Sequence, residues 1–409
     1  MHILVVNVFF APNTYGGATI VAEEVAKRLA ARPGIRVSAF SAIQRSDLPP
    51  YALVRTRVFG IDHFMINLRS ERDYVDAYQN PSVSERLADL ARDLKPDLAH
   101  FHCLQDIGAD SLRALGRGGV PVVLSVHDFW WLCERQFMVR PNGAYCGQSP
   151  IDVGACRGCV DDHGRTVTRA EVLRSIGAAA DLVTYPSRFA QELSERSGFA
   201  PGLGRVWENG VQLPSPDFFE AQTKRRTSDP RVVFGFVGGP SQIKGWPLLR
   251  AVFSGLGRHD FAGRLVDGSR DGSWWSDRTI AALDGDWTVV PRYDQATMDH
   301  FWSEIDVLLF LSQWKETFGL TIREALCRGI RVVQTYGGGT VEHEGGDLAS
   351  FIPMGSGPEP VRREVMRAID AGQVQGMAVP VTSFDDQAQA FLELVSDVLP
   401  KQRGLRTVA

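Results

Sequence analysis

Two glutamates, Glu316 and Glu324, bracket Phe318-Gly319-Leu320 in a stretch suited to an anionic, hydroxyl-rich ligand. Backbone N–H groups of Phe318, Gly319 and Leu320 would open a helix there. Unpaired donors and the helix dipole at such an end favour phosphate oxygens. Gly319 lets the backbone approach the ligand closely. An ionised carboxylate only accepts hydrogen bonds, so it suits hydroxyls. Two acids flanking a phosphate cradle fit a ligand with phosphates in the middle and hydroxyl-rich groups at both ends, as in a nucleotide sugar. The bland alternative is a surface loop before an ordinary acidic helix.

That stretch needs a frame. Residues 307–311 form a short apolar run that reads as a buried strand, 312–316 as a polar loop, 317–329 as a helix and 330–333 as a second buried strand. This is a β-loop-α-β unit of a parallel sheet, whose ligands bind at the carboxyl ends of the strands. The same pattern recurs earlier. Residues 3–10 read as a strand, followed by Gly16-Gly17 and a helix over 18–31 with Ile20, Val21, Val25 and Leu29 on one face. The glycine pair is a second candidate phosphate cradle, against a simple turn as the alternative. Further strands are expected over 36–40, 96–102 (ending in His100 and His102), 121–126 (ending in His127-Asp128) and 182–184, with helices over 81–94, 168–179 and 189–196. In the second half, strands are expected over 231–237, 263–266 and 287–290. Lys244 lies in a glycine-rich strand-to-helix connection that begins Gly238-Gly239. A compact ammonium there would stabilise a diphosphate as a leaving group, unless it is simply solvated. The charged, proline-bounded segment 214–230 reads as a linker. A final helix over 385–399 carries Ala388, Phe391, Leu392 and Val395 on one face. Residues 45–78 read as irregular, with arginines between Phe59, Phe64, Met65 and Ile66. They are either a solvated variable region or a peripheral contact with an anionic membrane or lipid-linked acceptor.

The chain has 409 residues, enough for two or three domains. Its 44 basic and 48 acidic residues give a net charge of −4, which argues against a nucleic-acid partner. No apolar run reaches the length of a membrane span. The N-terminal HILVVNVFF reads as a strand rather than a secretion signal, so a cytoplasmic protein is expected.

Four of the six cysteines, Cys133, Cys146, Cys156 and Cys159, fall in a glycine-rich insert, 133–159, with few apolar residues to build a core. Four thiolates closing with a C-x-x-C can hold a tetrahedral metal in place of that core. Such a site has no open position and is structural. Zinc is the expected ion, an iron–sulfur cluster the alternative, and unligated thiols the bland reading.

Glu316-x7-Glu324, with Phe318-Gly319-Leu320 inside it and Glu324-Ala325-Leu326 at its end, resembles the signature of retaining glycosyltransferases of the GT-B fold, most similar to family 4. The resemblance extends to Gly16-Gly17, to Val126-His127-Asp128, to Asn209-Gly210-Val211 (with Glu208 where the family has Pro) and to Lys244-Gly245. It implies an α/β architecture of two Rossmann-like domains, 1–213 on the acceptor side and 214–409 on the donor side. Their parallel sheets would face a cleft, and the last helix would pack back on the first domain. It implies that Glu316 and His127 contact the transferred sugar, that Asp128 orients His127 or meets the acceptor, and that Glu324 holds the ribose. Lys244, with Gly16, Gly17, Gly238 and the amides of Phe318 to Leu320, would face the diphosphate. Many members carry an Arg where this chain has Gly239, so a second cation would have to come from elsewhere, such as Arg292, in the segment where the family reads the base. The implied reaction needs no cofactor. Its partners are a nucleotide-sugar donor and a glycan or lipid-linked acceptor, by family habit in bacterial polysaccharide assembly at the inner face of the membrane. The rival classes are a GT-B epimerase or hydrolase and a non-catalytic donor-binding subunit.

Overall fold

Short runs of apolar residues separated by helical periodicity dictate two parallel sheets. The computed structural model describes residues 1–269, 272–374 and 376–398. The chain divides into two compact units. The first comprises Met1–Phe137, Gln148–Gly210 and the described residues from Phe384 on; the second comprises Met138–Gly147 and Val211–Ser383.

In the first unit the strands are β1 (His2–Val6), β2 (Arg36–Ile43), β3 (Leu53–Val58), β4 (Ile61–Asn67), β5 (Leu98–Phe101), β6 (Val122–Ser125), β7 (Leu182–Tyr185) and β8 (Gly204–Val206). Their order across the sheet is β3-β4-β2-β1-β5-β6-β7-β8. All neighbours are parallel except β3 and β4. That pair corrects the expectation of an irregular 45–78. Phe59-Gly60, with φ of 54° and 76°, forms a two-residue turn, and the left-handed conformation at both positions matches the twist of a hairpin. Phe64 and Ile66 are buried by the sheet, and only Phe59 of that aromatic and aliphatic set is half-exposed, under the Lys27 ammonium at 3.9 Å. Helices Gly17–Ala30, Pro81–Leu94 and Asp110–Arg117 connect the central strands. The helix Phe384–Ser396 completes this unit; Leu399, the expected end, lies outside the described residues. Its Phe391 is fully buried against His100 (ring centroids 4.3 Å) and Trp207 (5.4 Å). Gln387 ties it down by accepting from the Gly210 N–H at 2.7 Å and from Trp207 Nε1 at 3.0 Å.

The second unit holds β9 (Val232–Phe236), β10 (Phe261–Asp267), β11 (Asp286–Pro291), β12 (Val307–Phe310), β13 (Arg331–Tyr336) and β14 (Ala349–Pro353), all parallel, in the order β11-β10-β9-β12-β13-β14. Alternate residues feed opposite cores. Val232, Phe234, Phe236, Val307, Leu309 and Leu311 pack on one side, and Val233, Leu308 and Phe310 on the other. The segment expected as a linker is instead the helix Phe218–Ser228. Its basic run is not solvated. Arg225 grips the buried Asp306 carboxylate with both Nη atoms at 3.0 and 2.8 Å, and Arg226 adds a third bond at 2.9 Å. The Val233 N–H donates to the same carboxylate, so Asp306 fixes this helix to the edge of β9 and β12. Among the described residues no helix is long and apolar enough to cross a membrane.

Candidate functional site

In the second unit the loops after β9 and β12 are joined at their strand ends. Gln313 N–H donates to Ile243 O at 2.7 Å, and Thr335 Oγ1 donates to Ser312 O at 2.6 Å. Gly245 has φ 81°, and a Cβ there would lie 2.0 Å from Leu311 O, so only glycine admits this approach. The result is that Lys244 Nζ donates to Glu316 Oε1 at 2.8 Å, and Ser312 Oγ reaches the same oxygen. Glu316 is nearly buried while Lys244 keeps about a third of its side chain accessible, so the ammonium can meet a ligand. The Glu316 main chain is braced from below: its carbonyl accepts from Gly339 N–H at 2.8 Å.

The loop between the two glutamates is held by a residue that sequence reasoning passed over. Arg323 is buried, and its guanidinium donates to Phe318 O at 2.5 Å, Gly339 O at 2.9 Å and Glu342 O at 2.7 Å. It also lies over the Phe318 ring at 4.1 Å. Gly319, at φ 85°, begins the short helix Leu320–Leu326.

Glu324 is buried, and its Oε2 has no hydrogen-bond partner among the described residues. Burial raises its pKa to about 7, partly offset by the Arg328 guanidinium. A buried acceptor without a donor is costly unless a ligand satisfies it. Tyr293 is stacked on Phe301 at 5.1 Å, and burial, with the Glu324 charge adding to it, raises its pKa. Arg292 is exposed just beyond β11. Gly238 sits against the Lys244 stem, where a Cβ would come within 3.0 Å of Cγ.

In the first unit Gly16, at φ 80°, caps the helix Gly17–Ala30, and both glycines are exposed. Beneath them Glu23 is buried, accepts from Thr14 Oγ1 at 2.8 Å, and has its pKa raised to about 7 by burial. His127 follows β6. Its Nε2 pairs with His102 Nδ1 at 2.8 Å, and the rings stack at 5.1 Å and 13°. Burial lowers the pKa of His127 to about 4 and holds that of His102 well below its ordinary value, so both rings are neutral at pH 7. His100 and His102 share one face of the β5 end, two residues apart, with centroids 4.1 Å apart. Asp128 was expected to orient His127 or meet the acceptor. Its carboxylate accepts instead from Trp130 N–H at 2.8 Å and Gln136 Nε2 at 2.6 Å, which fold the following loop. His102 is one partner of His127.

Among the described residues no group of three or more His, Cys, Asp or Glu side chains is placed to hold a metal ion. Cys133, Cys156 and Cys159 belong to the first unit and Cys146 to the second.

Residues 15–214 match the family model for Glycosyltransferase Family 4. Over those residues the chain is similar to that family. Solved structures extend the likeness to the whole fold. Sucrose-phosphate synthase from Thermosynechococcus elongatus superposes with a TM-score of 0.66 at 17% identity, covering 97% of this chain and 94% of that one. A glycosyltransferase from Rickettsia africae gives 0.65 at 17% identity, over 98% and 99%. Anabaena HepE, in complex with UDP and glucose, gives 0.62 at 18% identity, over 96% and 99%. No curated protein matches. The chain has the fold of these GT-B glycosyltransferases.

Proposed function

We propose that this protein is a glycosyltransferase that moves a sugar, with retention at the anomeric carbon, from a nucleoside diphosphate sugar to a hydroxyl of a glycan or lipid-linked acceptor. The observation that carries the reading is the Lys244–Glu316 pair at 2.8 Å at the strand ends, with the unpartnered Glu324 carboxylate oxygen on the helix that follows. The structure of HepE with UDP-glucose supports a uridine diphosphate sugar as one donor to try. In the proposed reaction the acceptor oxygen bonds to the anomeric carbon as the carbon–phosphate-oxygen bond breaks. The electron pair stays on the departing diphosphate, and one of its oxygens takes the acceptor proton. Lys244 and the amides of Phe318 to Leu320 neutralise the charge that develops there. Glu316 accepts from a hydroxyl of the transferred sugar, His127 from another, and Glu324 from the ribose diol. Gly16 and Gly17 leave the backbone open to the diphosphate. No cofactor takes part. The setting we favour is bacterial polysaccharide or glycolipid assembly in the cytoplasm, at the inner face of the membrane.

The test is a donor screen with UDP-, GDP-, dTDP- and ADP-sugars, scored by nucleotide release and thermal shift, beside Glu316→Ala. Release from one donor that the variant loses supports the reading. Release of an altered sugar without acceptor points to an epimerase or hydrolase. Binding that never turns over, even with lipid-linked acceptors, points to a non-catalytic subunit. No response to any donor sinks the nucleotide-sugar reading.

A further inference from the structure

The loop after β10 places two tryptophans in opposite directions. Trp275 is buried, packs edge-on against Trp246 at 4.7 Å and donates from Nε1 to Val266 O at 3.1 Å. Anchoring that ring turns its neighbour outward, and Trp274 is 42% exposed. Trp274 is nonetheless not loose. Its ring lies over two glycines at adjacent strand ends, Gly239 after β9 and Gly268 after β10. A Cβ at either would come within 2.6 Å of the ring, and Gly239 also has φ 68°. The next glycine along, Gly238, lies under the Lys244 stem. One glycine turn therefore carries an aromatic face and an ammonium side by side.

We infer that Trp274 is the stacking platform for the nucleobase of the donor. The order across the sheet supports this assignment. Glu316 follows β12, Lys244 follows β9, and Trp274 spans β9 and β10, so the sugar-facing acid and the aromatic ring lie on opposite sides of the cation. The ring also accounts for the glycine at 239. It fills the space into which any side chain there would grow, so an apolar stacking surface stands where a second cation was expected. Stacking on an aromatic ring tolerates every base, because each has a π face.

The inference rests on the nucleotide-donor reading, and the experiment separates the two. Binding of UDP, GDP, ADP and inorganic pyrophosphate is measured by calorimetry on the full chain, for the native protein, Trp274→Phe and Trp274→Ala, with thermal unfolding of each to confirm folding. Trp274→Ala is expected to weaken the best nucleoside diphosphate about tenfold or more, the usual scale of one base–aromatic stack, while pyrophosphate is unchanged and Trp274→Phe recovers most of the loss. Undiminished nucleotide binding in Trp274→Ala, or an equal loss for pyrophosphate, overturns the platform and leaves the donor reading intact. Failure of the native protein to bind any nucleoside diphosphate overturns both.

Discussion

Glu324→Gln is expected to stabilise the protein while weakening donor binding. Burial holds the Glu324 carboxyl at a pKa of about 7, against 4.5 for the ordinary group. The folded state therefore keeps a proton that the unfolded state has released between about pH 4.5 and 7. Stability falls as pH rises through that window. A difference of about 2.5 pH units corresponds to about 3 kcal/mol at pH 8, and to less than about 1 kcal/mol at pH 5. Glutamine has the same shape and no charge to desolvate, so the variant escapes this penalty. For a unit of this size about 3 kcal/mol moves Tm by about 6–12 °C. The assay is thermal unfolding of native protein and variant from pH 5 to 8.5. The two curves should converge at acid pH and separate steadily above it, with the variant higher. Donor binding in the same samples should run the other way, because the amide that replaces the carboxylate brings a donor face to hydroxyls that also donate. A variant that melts at or below the native temperature at pH 8 refutes the claim that a desolvated, unsatisfied carboxylate is stored there.

Asp306→Ala strands two arginines against a buried edge and should cost about 3–5 kcal/mol, read as a lower denaturant midpoint. Gly245→Ala forces a Cβ against Leu311 O and should disturb the Lys244 loop, lowering both Tm and donor affinity; unchanged affinity would refute the role of that close approach. Arg323→Lys cannot make the same set of bonds to Phe318, Gly339 and Glu342. It should raise the donor KM more than it lowers Tm, and a purely structural role would do the reverse. Metal analysis of protein purified in zinc should find about one ion per chain, lost in Cys156→Ser, since bare thiols gather only when an ion supplies the attraction. Protein that carries no metal, with its thiols all titrating, refutes the expectation.

The parallel strands were readable because buried strands in βαβ units appear as unbroken apolar runs. Glu316, Glu324 and Lys244 could be singled out by residue type and strand-end position, and the fold pairs Lys244 with Glu316. Three things were not readable. The β3–β4 hairpin turns on Phe59-Gly60, which lacks the usual Asn-Gly or Asp-Gly signal. The arginines of 218–228 look like a solvated run until Asp306, about eighty residues on, is folded beside them. The empty oxygen of Glu324 and the pairing of His102 with His127 exist only once packing decides which groups meet.

The helix Phe384–Ser396 has a consequence for the order of synthesis. It belongs to the first unit, yet it is made after the whole of the second. Until Phe391 leaves the ribosome, Trp207 and His100 lack the ring that covers them, and the Gly210 N–H lacks Gln387. The earlier half of the chain cannot mature first, as N-terminal domains ordinarily do. The second unit, continuous from Val211 to Ser383 apart from the excursion Met138–Gly147, can. A truncation at residue 383 would spare the second unit and leave its predecessor unfinished, so a chain cut short in translation is marked as defective in its oldest part.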